Sequence, residues 1–354
     1  MMRRLSLLLA PALACIITTS SDDDGDGDGG GDSSGATASD TSASVGTTTA
    51  TSGPADGSST AVADDSGSSS GGGDTPTLPS CSGERSELDR DDDSADEQVR
   101  VLYVVPADGD DDGYDTDDTI CNSVRSWSAW LAEQSDGRAL RLDTAGGALD
   151  VGFVRLTVDD ATMHGSEDAA NVDTGFAYVR DRIERELLLA GQLQPHKLYA
   201  VYYGGTSEYA CGGGAYPPLL IGQVAAMYLG GQIPGYPACD EQPWGTDDLV
   251  PRYVDYGMLH ELMHSLGAVD LLAPHEHASG HAFDEGARAP ERDLMYSPRE
   301  GQTDPPWGVY DPAGLVLDLG RDDYFEHGQA DLVDVAHSAF LEPMPDGATL
   351  PPGW

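Results

Sequence analysis

A long stretch of small and acidic residues limits how much of this chain can fold. Between Ser20 and Asp96 the sequence is almost entirely Ser, Gly, Thr, Ala and Asp. A segment with so few large apolar residues cannot bury enough surface to offset the entropy lost on ordering. We therefore predict a disordered linker over residues 15–96. The remaining residues 97–354 have the size of one large domain.

The N-terminus has the pattern of an export signal. Two arginines precede an apolar run, Leu5–Leu13, and Ala12-Leu13-Ala14 supplies the small residues of a cleavage site. We predict a signal peptide over residues 1–14. Cys15 follows as in the lipobox of bacterial lipoproteins, so it is a candidate lipidation site; the alternative is a plain secretory signal. No later run reaches the ~18 apolar residues of a membrane span. The predicted location is therefore the bacterial cell envelope, as a lipoprotein, or the medium, as a secreted protein.

The charge balance restricts the partners. Acidic residues outnumber basic ones by 62 to 18, which gives a formal net charge of −44. Such a surface repels phosphate backbones and anionic lipids. We therefore predict no nucleic-acid partner, membrane association only through the N-terminal lipid anchor, and a monomer.

The cysteines agree with export. Apart from Cys15, four remain, and none forms a C-x-x-C pair. An even number suits disulfides in an oxidising compartment better than a cysteine metal site. Four cysteines allow three pairings. We expect Cys81–Cys121 and Cys211–Cys239, because each bond then closes a moderate loop, although the sequence leaves the other two pairings open.

Apolar patterning predicts an α/β (α+β) domain built on one sheet. Strands and helices alternate early, and loops rich in Gly and Pro follow. The predicted strands are Gln98–Val105, Leu149–Val158, Lys197–Tyr203 and Leu219–Leu229. The predicted helices are Ser123–Gln134, Gly175–Ala190 and Tyr253–Ser265.

The last predicted helix carries the chemistry. His260 and His264 lie four positions apart, so on a helix their imidazoles share one face and can bind one metal ion. Glu261 lies beside the first histidine and can reach a water at the metal, where a carboxylate serves as general base. Leu259, Leu262, Met263 and Leu266 form a separate apolar face. One helix can therefore pack against the core and bind zinc.

The residues after this helix supply a third ligand. Gly267 can end the helix in a left-handed conformation and turn the chain back. Asp270 can then reach the metal, and two histidines with one carboxylate leave a fourth position open, as in catalytic zinc sites. His275, His277 or His281 could take the third position if the turn were longer.

The pattern HExxHxxGxxD, followed by Asp293-Leu294-Met295-Tyr296, resembles the metzincin clan of zinc metalloendopeptidases. More narrowly, it is similar to the snapalysin-like branch, in which Asp is the third ligand. The resemblance implies a twisted mixed sheet over an active-site helix, with His260, His264 and Asp270 as zinc ligands and Glu261 as general base. It also implies that Met295 forms the methionine turn beneath the metal.

The predicted function is hydrolysis of peptide bonds in a protein or peptide substrate by a zinc-activated water. Two alternatives are an inactive peptidase-like surface module that binds peptides or carbohydrate, and a zinc amidase that acts on cell-wall material. The intact Glu261 argues against the inactive module, because a retired site has no need of a general base.

Three weaker features lie outside the helix. Within the acidic loop Asp108–Asp118, the run Asp108-Gly109-Asp110-Asp111-Asp112-Gly113 matches the first half of a calcium loop, although the twelfth position is Thr119 instead of Glu. Calcium is therefore a candidate second cofactor, and the alternative is an acidic surface loop. Leu219–Leu229 could be the edge strand that pairs with an extended substrate, or a core strand. The run Cys211-Gly212-Gly213-Gly214 is interpreted as a flexible loop beside a disulfide.

Overall fold

A five-stranded sheet lies at the centre of the computed structural model. The structure describes residues 77–164, 172–208, 210–232, 238–277, 280–282, 292–296 and 314–354. The described strands are β1 (Gln98–Val105), β2 (Ala139–Leu140), β3 (Thr144–Ala145), β4 (Ala148–Leu149), β5 (Val151–Arg155), β6 (Lys197–Tyr203), β7 (Gly212–Gly213), β8 (Val224–Tyr228), β9 (Glu276–His277), β10 (His281–Ala282) and β11 (Leu341–Glu342). The described helices are α1 (Thr119–Gln134), α2 (Asp160–His164), α3 (Val172–Leu189) and α4 (Tyr253–Ser265).

The strand order in the main sheet is β5-β1-β6-β8-β7. The first four strands run parallel, and β7 pairs antiparallel with β8 at the edge. The predicted α/β class with a mixed sheet is therefore confirmed. Every residue of β1 is buried because the sheet is covered on both faces.

Helices cover the two faces of the sheet. Alternate residues of β1, such as Val101 and Tyr103, enter a core shared with α1 and α4, while Leu102 and Val104 belong to a second core with α3. α4 begins and ends at the predicted residues, and α1 begins four residues before its predicted start at Ser123. No described helix is long and apolar enough to cross a membrane.

The edge of the sheet differs from its predicted position. β8, within the predicted Leu219–Leu229 strand, lies between β6 and β7 and is fully buried, so it is the core strand of the two alternatives. The edge is β7, which falls in the glycine run that was predicted to be a loop. The prediction failed there because glycine has low strand propensity and no side chain to reveal a buried face.

The folded unit begins before the predicted boundary at residue 97. Ser86 pairs with Gly152 beside β5, and Arg85 donates hydrogen bonds to Asp111 and Asp115. The described part of the predicted linker, residues 77–96, is therefore anchored by backbone bridges and charged contacts, together with Cys81 packed against the core. The predicted signal peptide, Cys15 and the linker up to residue 76 lie outside the described residues.

Both disulfides have the expected pairing, Cys81–Cys121 and Cys211–Cys239. The first attaches the N-terminal segment to α1. The second joins the residue before β7 to Cys239, in the segment that follows β8 along the chain. The bond therefore fixes one end of the edge strand.

Candidate metal centre

Local sequence explains both ends of α4. At its start the backbone N–H of Arg252 donates to the Asp255 carboxylate at 2.7 Å, which is half of a capping box. At its end Gly267 adopts φ +87°, and its N–H donates to the carbonyl of His264. A left-handed residue after the last turn is the usual glycine stop of a helix.

Three histidines, two from α4 and one from β10, come together in the structure. The Nε2 atoms of His260 and His264 are 3.0 Å apart, and the Nε2 atom of His281 lies 3.2 Å from the first and 3.3 Å from the second. A tetrahedral zinc ion with Zn–N bonds of ~2.0–2.1 Å needs nitrogens about 3.3 Å apart. The spacing therefore fits one zinc ion bound by three imidazoles.

Burial keeps His260 and His264 in the neutral form that binds metal. All three are buried, and desolvation lowers the pKa of His260 to about 3 and that of His264 well below its usual value. The Nδ1 atom of His260 lies 2.7 Å from the carbonyl of Leu294, so it donates its proton there and leaves the Nε2 lone pair for a metal. Neutral imidazoles with free Nε2 lone pairs are the form that metal binding requires.

The predicted third ligand, Asp270, is not a member of this group. Gly267 and Val269 both have positive φ, and the turn that follows is closed by a hydrogen bond from Ala273 to the Asp270 carbonyl. The hairpin of β9 and β10 then returns the chain to α4 and places His281 beside the other two rings. His281 is one of the sequence alternatives for this position.

The other two histidines of this segment have different outcomes. His275 contacts Asp323 and is a member of a second, separate group of metal-ligating residues. The side chain of His277 lies outside the described residues.

Glu261 faces the edge strand. It is half-buried, and a Cβ atom added to Gly212 in β7 would lie 2.5 Å from its Oε1 atom. A Cβ atom added to Gly214 would lie 2.5 Å from its carbonyl oxygen and 2.8 Å from the Cβ atom of His264. At Gly214 the neighbour is backbone, which cannot move aside, so only glycine permits this approach. The Gly212–Gly214 run therefore has a structural role that sequence reasoning missed.

The segment that contains Met295 lies next to the histidines. Met295 is fully buried, and its carbonyl accepts a hydrogen bond from Ala282, the residue after His281. The buried Asp293 carboxyl accepts from the backbone of Met295 at 2.8 Å and from the hydroxyl of Tyr324 at 3.0 Å. Burial raises the pKa of Asp293 to about 8. The position of Met295 near His281 is compatible with the methionine turn that the resemblance implies. That role of Met295 stays a prediction.

Arg85 pairs with carboxylates of the predicted calcium loop. Arg85 binds the carboxylates of Asp111 and Asp115, and these contacts lower the pKa of Asp111. No group of potential metal ligands occurs in the loop among the described residues. Calcium binding at Asp108–Asp118 stays a prediction.

Comparisons with known proteins give distant structural similarities. The sequence matches no protein-family model and no curated protein. Catalytically inactive OgpA from Akkermansia muciniphila, in complex with an O-glycopeptide (glycodrosocin) substrate, is 13% identical with a TM-score of 0.30, over 54% of this chain and 52% of that chain. Wild-type OgpA gives the same values.

Archaemetzincin from Methanopyrus kandleri is 14% identical with a TM-score of 0.29, over 57% of this chain and 83% of that chain. The match to OgpA spans about half of that protein's length. Similarities at this distance assign neither an activity nor a ligand.

Proposed function

We propose that the protein is an exported zinc-dependent endopeptidase. The observation that carries the proposal is the group of three buried imidazoles at zinc-compatible spacing, with Glu261 on the same helix as two of them and a sheet edge directly beside it. His260, His264 and His281 would hold the ion. Three protein ligands leave the fourth position open, which is typical of catalytic rather than structural zinc sites.

The chain's own residues divide the remaining work. Zinc, when bound, would polarise the scissile carbonyl and lower the pKa of the attacking water. Glu261 takes the water proton during attack and delivers it to the leaving amine. The leaving group needs no other acid, because the same carboxyl group serves in both steps.

The edge strand provides a place for the substrate backbone. β7 pairs with β8 on one side only, among the described residues, and lies against Glu261 through Gly212. An extended peptide that pairs with an exposed sheet edge is held by main-chain hydrogen bonds. Such pairing would place a peptide bond near Glu261 with little demand on side chains.

Cleavage of unfolded casein by the purified full chain tests the proposal, with zinc content measured beside activity. We expect Glu261→Gln to keep its zinc and lose activity by about 10²–10⁴-fold, the usual contribution of a general base. His281→Ala should lose zinc, whereas Asp270→Ala, the matched control, should retain both zinc and activity.

Two results would contradict the proposal. If Asp270→Ala loses zinc while His281→Ala keeps it, the ligand set is wrong. If the folded, zinc-loaded wild type cuts cell-wall fragments but not casein, the peptidase activity is wrong and the amidase alternative replaces it.

Export and lipidation also belong to this proposal. The two disulfides support an oxidising compartment. Expression in a bacterial host with a radiolabelled fatty acid should label the wild type and not Cys15→Ser. Equal labelling of both would exclude Cys15 as the anchor.

A further inference from the structure

His275 lies in a second group of metal-ligating side chains, apart from the three-histidine group. Its Nδ1 atom makes hydrogen bonds to the Asp323 carboxylate, at 3.0 Å to Oδ2 and 3.1 Å to Oδ1, and lies 3.9 Å from Oδ1 of Asp322. A metal ion bound here would take the place of the shared proton. One ligand atom from each of the three residues lies within 4.8 Å of the others. These separations bracket the ~3.3 Å expected between ligands of a tetrahedral zinc ion.

The backbone holds these side chains in place. The N–H of His275 donates to Oδ1 of Asp323 at 2.8 Å. Asp318 accepts hydrogen bonds from the backbone of Asp323, Tyr324 and Phe325 at 2.8–3.3 Å, which fixes the loop. Little rearrangement is therefore needed to present an imidazole nitrogen and two carboxylates to one ion.

A third group of potential ligands has a different character. Asp89, Asp143 and Asp150 also lie close together, but the chain's own Lys197 and Arg100 occupy the space between them. The side chains of the protein itself therefore already supply the positive charge at this group. In the His275 group the nitrogen atom belongs to an imidazole ring. Unlike a lysine or arginine side chain, a neutral imidazole can itself bind a metal ion.

We propose that His275, Asp322 and Asp323 form a second metal site, which binds a borderline divalent cation such as zinc. A mixed set of imidazole and carboxylate ligands suits zinc, whereas calcium takes six to eight oxygens. This site shares no ligand with the three-histidine group.

The position of this site gives the bound ion a bracing role. His275 directly precedes β9, whose hairpin carries His281. Asp323 directly precedes Tyr324, which bonds to Asp293 beside Met295. A metal ion would join these two segments and hold the third ligand's hairpin in place. This role rests on the proposed function, although the site itself does not.

Zinc stoichiometry tests the proposal. The full chain is freed of metal with a chelator, dialysed against Zn²⁺, and its zinc measured by mass spectrometry. We expect about two zinc ions per chain for wild type, about one for His264→Ala or His275→Ala, and none for the double variant. His337→Ala is the matched control, because His337 contacts Asp334 but belongs to no described group of three ligands.

The outcomes separate this proposal from the proposed function. If His275→Ala binds as much zinc as wild type, the second site is wrong. If zinc survives His264→Ala and disappears in His275→Ala, the second site stands and the catalytic centre is wrong. Should His275→Ala fail to fold, Asp322→Asn replaces it, because the Asp322 side chain is 41% exposed and its loss disturbs no core. Unchanged zinc in that variant would overturn the proposal.

Discussion

A methyl group at Gly212 should separate activity from stability. The Cβ atom of an alanine there would lie 2.5 Å from Oε1, 2.9 Å from Cγ and 3.0 Å from Cδ of Glu261. All three atoms belong to one flexible, half-buried side chain rather than to backbone. The carboxyl group can therefore move aside, and we expect Gly212→Ala to cost at most about 1 kcal/mol of stability.

The same displacement of the Glu261 carboxylate should reduce the rate of catalysis strongly. An ordinary carbon–oxygen contact is about 3.5 Å, so the Glu261 carboxylate must shift by about 1 Å. Misplacing a catalytic group by about 1 Å can reduce the rate by about 10²-fold. That loss corresponds to about 2.7 kcal/mol of transition-state stabilisation.

Steady-state cleavage of casein measures the effect, with zinc content and the urea unfolding midpoint determined on the same samples. Gly204→Ala is the matched control, because a Cβ atom there would meet its nearest neighbour, Tyr103, at an ordinary 3.5 Å. The reasoning is refuted if Gly212→Ala retains activity within about threefold of wild type. It is also refuted if the variant loses zinc, because the damage would then lie in the metal ligands.

Three further predictions concern stability and the edge strand. Burial raises the pKa of Asp255 to about 7, against about 4 in an unfolded chain, so the folded state binds a proton that the unfolded state releases. The free energy of unfolding should therefore fall by up to about 4 kcal/mol as pH rises from about 4 to 7. Urea unfolding of Asp255→Asn should show a smaller fall over the same range. An equal pH dependence in the wild type and the variant would contradict this prediction. Lys197→Met removes one of the two cations of this network: Lys197 pairs with three carboxylates, and Arg100 still pairs with two of them. The variant should cost about 3–5 kcal/mol in chemical denaturation. A cost below about 1 kcal/mol would show that the network contributes little. Replacing Cys211 and Cys239 by Ser removes a disulfide between residues 28 apart in sequence and should cost about 3.5 kcal/mol of stability. It should also reduce casein cleavage more than the same change at Cys81 and Cys121. Equal activity of the two variants would show that the Cys211–Cys239 bond does not position β7.

Strong periodic signals in the sequence predicted the centre of the fold. The run of β-branched and aromatic residues in β1 and the heptad-like apolar face of α4 both require one kind of element, and both elements have the predicted bounds. His260 and His264 were predicted to share a face for the same reason, because helix geometry fixes side chains four residues apart. Short-range geometry was sufficient for these features.

Features that depend on distant contacts could not be predicted in this way. β7 consists of two glycines, and its place at the edge is set by pairing with Met227 and Ala226 in β8. The segment before β1 is attached through ion pairs such as Lys197–Asp89, and its composition is that of a linker. In both cases the stabilising partner is far along the chain, so no local pattern identifies it.

The third histidine shows the same limit at the metal centre. Tyr216 packs edge-on against the His264 ring, with centroids 6.4 Å apart, and its hydroxyl donates to the carbonyl of Val269 at 3.5 Å. Its ring also lies so close to Gly280 that a Cβ atom there would be 2.5 Å away. One tyrosine therefore contacts the end of α4, the turn after it and the residue before His281. This packing brings His281 to the other two imidazoles, whereas spacing along the chain predicts Asp270 as the third ligand. A candidate ligand set of this kind has to be identified in three dimensions.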